Sequence, residues 1–283
     1  MCRFIAFAGL APLVDSLLPC IDSFVSSAER DPLLKAISRR GAESHGDGWG
    51  YAVAGRGVGG SLSTGFYRSS APVYRDPKGV ESLKTVVLGL DTYTGVAHAR
   101  LASRSEPLGV ENAHPFMVED PGRGFTLWLA HNGSVHKELL AQELGLGDLA
   151  GRRTDSFFLA RYLARELGSV NPAGVTKAIE AVVEKGFVKT ALNLGILVVG
   201  NPGVFLVVTS LYPANDPGRA RYYRVYMAGD ERLFVAGSST MFEVYRCGDP
   251  REAKELCNGC AVAAAIRGGR VSTELYELPR PRA

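Results

Sequence analysis

The chain has 283 residues, 46% hydrophobic and 22% charged, an ordinary globular composition long enough for a single core. A net charge of +3 is too small to call for nucleic acid or a polybasic membrane contact. No run reaches the roughly 18 apolar residues of a membrane span.

Arginine outnumbers lysine and glutamine occurs once, at Gln142. That scarcity of a thermolabile amide points to a thermophile.

Cys2 follows the initiator methionine. Methionine aminopeptidase removes Met1 when the next side chain is small, and cysteine qualifies. Cys2 would then carry a thiol and a free α-amine on one residue. Such an amine has a pKa of about 7.7–8.0, so it can take the thiol proton and later return it to a leaving group. The opening RFIAFAGLAPLV imitates a signal-peptide core, but Pro12 and Asp15 interrupt the region and no small-x-small site follows. A cytoplasmic protein is expected.

Residues 1–10 alternate Phe4, Ala6 and Ala8 with Arg3, Ile5 and Phe7. Both faces are largely apolar, which predicts a central strand. A helix is predicted over 21–40, ended by Gly41. Residues 49–55 and 62–70 read as glycine-rich strands, 94–102 as another, and 125–133 as a strand ending in a polar turn. Thr154 or Asp155 caps a helix over 156–168, and Asn171-Pro172 opens a second over 173–186. Residues 194–200 and 204–212 read as buried strands joined by a Gly-Asn-Pro-Gly turn, followed by strands over 222–229 and 232–239. The Pro-Arg tail over 277–283 is expected to fray. With no repeat and no linker, residues 1–283 read as a single domain of layered sheets and helices.

Five cysteines, an odd number, do not suggest a secreted disulfide framework. Cys257 and Cys260 form a lone CxxC, with Cys247 upstream. Free thiols are the first expectation, a structural disulfide the second, and a zinc site lacking an evident fourth ligand the third.

Polar clusters interrupt the apolar pattern at strand ends. One is Cys2. HARLASR supplies His98, Arg100, Ser103 and Arg104, and an arginine at the end of an apolar strand can clamp a carboxylate through two parallel bonds or form a structural ion pair. Ala130-His131-Asn132-Gly133 offers an amide N–H and a closely approachable backbone N–H for an oxyanion, or is an ordinary Asn-Gly turn. Arg153-Thr154-Asp155-Ser156 starts a helix with a carboxylate that either caps it or binds an ammonium group. Together they provide a nucleophile with its own base, an oxyanion hole, and partners for the two charges of a free amino acid.

The segments MCRFIAFAG, HGDGWGYAV, GVAHARLASRSEPLGVENAHPF, LAHNGSV and RTDSF, with VAGSS near the end, occur in the order found in the class-II glutamine amidotransferases, which the chain resembles over most of its length. The MCR start and HGDGWGY resemble the stand-alone branch, which includes ergothioneine-pathway amidohydrolases. The resemblance implies an α+β, four-layer αββα sandwich, the N-terminal nucleophile hydrolase fold. It implies Cys2 as nucleophile, its α-amine as base, and the Asn132 side chain with the Gly133 N–H as oxyanion hole. Arg100 would hold the α-carboxylate of glutamine and Asp155 its α-amine. His114, and Asp47 and Trp49 of HGDGWG, would line or support the pocket, with Ser103 and Arg104 beside the clamp. His98 is expected on the opposite side of its strand, in a structural role.

The implied reaction releases ammonia and glutamate through a thioester, with no metal or organic cofactor. The partners implied are glutamine or another γ-glutamyl amide and an ammonia-accepting synthase subunit. A non-catalytic relative that binds a γ-glutamyl ligand is the alternative. Two departures stand out: TDSF replaces the usual TDSE, and ARLASR lacks the usual aromatic residue and threonine, which leaves the pocket shape open.

Overall fold

The computed structural model describes residues 2–39, 41–104, 106–201, 203–248 and 252–280. Met1 and the last three residues of the Pro-Arg tail lie outside them. In chain order come β1 (Arg3–Leu10), α1 (Val14–Glu29), α2 (Pro32–Ile37), β2 (Trp49–Arg56), β3 (Leu62–Ser69), α3 (Pro77–Leu88), β4 (Thr92–Ala99), β5 (Phe116–Asp120) and β6 (Phe125–Val135). There follow α4 (Lys137–Glu143), α5 (Asp155–Glu166), α6 (Pro172–Glu184), β7 (Val188–Gly200), β8 (Val204–Ser210), α7 (Pro217–Tyr223) and β9 (Val225–Gly229). The chain closes with β10 (Leu233–Ser238), α8 (Ser239–Glu243), β11 (Lys254–Glu255), β12 (Cys260–Arg267) and β13 (Arg270–Glu277).

The strands form two antiparallel sheets, ordered β11-β9-β10-β1-β4-β2-β3 and β13-β12-β8-β7-β6-β5. β1 is central in the first, between β10 and β4, as its two apolar faces predict. Its odd residues Ile5 and Phe7 pack with Leu17, Ile21 and Phe24 of α1 and Leu83 of α3. Its even residues Phe4, Ala6 and Ala8 meet Trp128, Ala130, Leu197, Leu206 and Ala264 of the second sheet. The outer face of that sheet, with Leu127, Leu129, Leu194 and Ile196, packs on Phe158, Leu163, Ile179 and Val182 of α5 and α6. The result is the expected four-layer αββα sandwich. The period-two alternation of each strand produces it, because each sheet buries both faces. The layer between the sheets is rich in small side chains: Ala6, Ala8, Ala52, Ala54, Ala130, Ala236 and Ala264.

Several boundaries differ from the sequence reading. The helix predicted over 21–40 is two helices, and the first begins at Val14. Asp31 precedes Pro32, a position that disfavours the helical region, and its side chain instead caps α2 by accepting from Leu34 N at 3.0 Å. Tyr222 and Tyr223, read as strand, close α7 instead. The β12–β13 hairpin went unread because its alanine run lacks β-branched residues. It is closed by Gly268-Gly269, both at positive φ, the two-residue turn that suits strand twist. Cys20 pairs with Cys247 and Cys257 with Cys260. These disulfides correct the free-thiol expectation and remove the zinc ligands.

Candidate active site

Cys2 immediately precedes β1 and Asn132 lies on β6, so the inner faces of opposite sheets bring them together. Cys2 is 6% exposed, and its backbone nitrogen donates to Asn132 Oδ1 at 3.0 Å. Its Sγ lies 3.9 Å from the Leu101 carbonyl. With Oδ1 turned to Cys2, the Asn132 amide group makes no hydrogen bond among the described residues. Gly133 follows at a register shift between Gly133 and Val135, a bulge that bends the strand beside the site. A Cβ at Gly133 would collide with the Ala191 carbonyl and the His131 ring, so this close approach needs glycine.

A cavity of about 630 Å³ opens beside Cys2 and is lined by Arg100, His114, Gly133, Thr154 and Asp155 among others, a size typical of small-molecule pockets. Arg100 follows the last residue of β4. Its backbone is clasped by the glycine-rich loop: Arg100 N donates to the Gly48 carbonyl and Asp47 N to the Arg100 carbonyl, both at 2.9 Å. Asp47 Oδ2 also accepts from Ala102 N at 2.8 Å. The Arg100 side chain is buried, makes no ion pair among the described residues, and leaves Nη1 without a partner. An unpaired buried guanidinium costs free energy, and an anion in the cavity would offset it.

Asp155 opens α5 as its first helical residue, where the helix dipole favours a carboxylate. Oδ1 accepts from Ser156 N at 2.7 Å, Thr154 Oγ1 at 3.0 Å and Ser156 Oγ at 3.1 Å. Among the described residues Oδ2 accepts only from Val135 N, at 2.9 Å, so its remaining lone pair can take a ligand donor. Asn112 of the NAHPF segment holds this turn, accepting from Thr154 N at 3.1 Å.

His98 and Arg100 are two residues apart on extended chain and so share one face, which corrects the expectation that they point apart. The His98 ring lies 4.0 Å from that of His114, and its Nε2 donates to the His131 carbonyl at 3.0 Å. Burial, with Arg100 adding to it, pushes His98 down to about 3. Burial and the neighbouring His98 and Arg100 hold His114 well below the usual imidazole range. His114 is therefore neutral at pH 7, with both ring nitrogens lacking partners among the described residues. His131 points to the outer face, where its Nε2 donates to the Ala191 carbonyl at 3.1 Å and its Nδ1 faces Ser156 Oγ at 2.9 Å.

Other expected residues stand apart. Ser103 lines the cavity mouth, whereas Arg104 is exposed and outside the lining. Trp49 is fully buried on the helix-facing side of its sheet, where Nε1 donates to Asp76 Oδ2 at 2.9 Å. It is a core residue rather than a pocket wall.

Sequence reasoning passed over Arg3. Its Nε donates to Asp31 Oδ2 at 2.6 Å, Nη1 to the Tyr222 carbonyl at 3.0 Å and Nη2 to Thr240 Oγ1 at 2.7 Å. Asp31 also receives His45 Nε2 at 2.8 Å and Thr240 Oγ1 at 2.8 Å. Burial alone would raise the Asp31 pKa, but the Arg3 charge and the bonds from His45 and Arg3 outweigh it and hold the carboxyl well below its usual range. Tyr222 closes the network by donating its hydroxyl to the Cys2 carbonyl at 3.2 Å. The available signal was an arginine inside an otherwise apolar central strand.

No protein-family model matches the chain, and no curated protein matches it. Among solved structures, the allosteric regulatory enzyme of purine biosynthesis superposes with a TM-score of 0.56 at 14% identity, over 98% of this chain and 50% of that one. The chain thus spans about half the length of that enzyme. A glutamine aminotransferase class-II domain protein from Silicibacter pomeroyi gives a TM-score of 0.49 at 16% identity, over 99% of this chain and 100% of that one. The four-layer sandwich is the fold this chain shares with the purine-biosynthesis enzyme.

Proposed function

We propose that the chain, acting as one domain over residues 1–283, is a class-II glutamine amidotransferase that hydrolyses the side-chain amide of glutamine. Once Met1 is removed, the α-amine of Cys2 takes the thiol proton. The thiolate attacks the γ-carbonyl carbon, and the Asn132 amide group and the Gly133 N–H receive the oxyanion. The amine protonates the leaving nitrogen, ammonia departs, and a γ-glutamyl thioester remains on Sγ. Water then adds to the thioester, releasing glutamate and restoring the thiol. Arg100 holds the α-carboxylate and Asp155 Oδ2 the α-ammonium. His114, neutral and facing the same cavity, can donate or accept a hydrogen bond without adding charge.

The observation that carries this reading is the buried Arg100 guanidinium, which makes no ion pair among the described residues, in the cavity that also exposes Cys2, whose nitrogen lies 3.0 Å from Asn132 Oδ1. A γ-glutamyl amide larger than glutamine is the second reading. It is favoured by the extension of the cavity to Glu106, Lys137 and Lys189. The ammonia passes to an acceptor synthase, and the protein works in the cytoplasm.

The test is ammonia release from glutamine by protein whose N-terminus has been verified by mass, against Cys2→Ala. Turnover in the wild type and none in the variant is expected. Absence of hydrolysis of glutamine and of every γ-glutamyl amide tried would sink the enzyme reading and leave a ligand-binding relative.

A further inference from the structure

Two arginines lie over one aromatic ring outside the Cys2 cavity, and a third reaches the same backbone carbonyl as one of them. Arg161 on α5 lies with Cζ 3.6 Å from the Phe157 ring centroid, and Arg153, just before α5, lies at 5.1 Å. Arg68 on β3 joins them through the backbone of the 111–113 segment. Its Nη1 donates to the Ala113 carbonyl at 3.2 Å and reaches the Glu111 carbonyl at 3.5 Å, while Arg153 Nη1 donates to the same Glu111 carbonyl at 3.2 Å. All three side chains are half-buried.

None of the three makes an ion pair among the described residues. Elsewhere on the surface Arg123, Arg165 and Arg221 each hold a carboxylate. Burial first and the Arg153 charge second lower the proton affinity of both Arg68 and Arg161, and only Glu111 acts against this, on Arg68. Like charges gathered and partly desolvated with no ion-paired carboxylate among the described residues are costly. A bound oxyanion removes that cost, and planar guanidinium forks match the geometry of phosphate oxygens.

We propose that Arg68, Arg153 and Arg161 form a binding site for a phosphate-type oxyanion beside the Glu111–His114 segment. The site stands whether or not Cys2 is catalytic, but it adjoins the cavity. Asn112 ties the segment to Thr154 N, and His114 lines the cavity wall. An anion here is therefore positioned to be felt at the groups that face the ligand.

The probe is inorganic phosphate, titrated by calorimetry and by thermal shift at constant ionic strength with chloride as control. Saturable binding and a rise in Tm are expected for the full chain. Arg161→Gln and Arg153→Gln should each weaken binding at least about tenfold, whereas Arg161→Lys, which keeps the charge, should stay closer to the wild type. Glycerol phosphate binding more tightly than phosphate would identify a phosphorylated small molecule as the ligand, and weaker binding would identify the free ion. Equal phosphate affinity in the wild type and both glutamine variants would overturn the site. So would a wild-type response no larger than that to chloride.

Discussion

Arg3 Nε and Asp31 Oδ2 meet at 2.6 Å with neither side chain exposed, and Arg3 is the residue next to Cys2. The guanidinium also lies 3.9 Å above the Tyr222 ring, whose hydroxyl holds the Cys2 carbonyl. Removing one partner of a buried pair leaves an uncompensated charge and costs about 3–5 kcal/mol. Asp31→Asn and Arg3→Met should each destabilise the fold on that scale in urea denaturation. The double variant should lose clearly less than the sum. Additive losses would show that the two charges do not depend on each other.

Asn132 is expected to act on the transition state rather than on substrate affinity. Asn132→Ala should lower kcat about 10²- to 10³-fold, the usual loss for one oxyanion donor, with KM little changed. A rise in KM at constant kcat would reassign Asn132 to ground-state binding.

Arg100 sets stability against function. Arg100→Met should raise KM for glutamine about 10- to 100-fold, as expected for losing charge-assisted bonds. Because Nη1 of the buried guanidinium has no partner among the described residues, the same variant should melt no lower than the wild type without substrate. A large drop in Tm would mean that Arg100 has a structural partner.

His45, His98, His114 and His131 are buried with pKa values displaced downward, chiefly by burial. The unfolded chain binds protons at these groups near pH 6.5, while the folded chain resists until the lower folded pKa, about 3 for His98. The unfolded state therefore holds more protons in that window, and stability must fall as pH falls through it. For His98, whose folded pKa falls to about 3, the slope approaches about 1.4 kcal/mol per pH unit once the unfolded imidazole is fully protonated. Urea midpoints measured from pH 7 to pH 5 should decline steadily, and a flat profile would contradict neutral burial.

The Cys20–Cys247 disulfide joins residues 227 apart, tying α1 to the segment after α8. Chain-entropy reasoning gives about 5 kcal/mol for a loop this long. Cys247→Ser should lower Tm, and reducing agent should lower the wild-type Tm more than that of the variant. Equal responses would assign the redox sensitivity to Cys257–Cys260.

What was legible in the sequence follows from what each residue answers to. The alternation of Phe4, Ala6 and Ala8 with Ile5 and Phe7 gave β1 its central place, because strand burial is a local pattern. Cys2, Arg100, Gly133 and Asp155 could be nominated because their chemistry interrupts apolar segments, and the fold brings them to one cavity. Arg3 stayed hidden because its partners, Asp31, Tyr222 and Thr240, are scattered along the chain and only tertiary packing unites them. Trp49 was misplaced for a related reason: HGDGWG supplies both Asp47, which braces the 100–102 segment, and an indole that faces the helices. The disulfide from Cys20 to Cys247 has no local sequence signal at all.

The alanine layer between the sheets acts as a spacer of fixed thickness. Cys2 hangs from one sheet and Asn132 from the other, so the gap between these two residues is gauged by methyl groups several residues away. Thickening that layer, as in Ala6→Leu or Ala236→Leu, would part the two sheets and detune the site without touching it. The tolerance of this chain to mutation should therefore be lowest where its side chains are smallest, in residues that make no chemistry of their own.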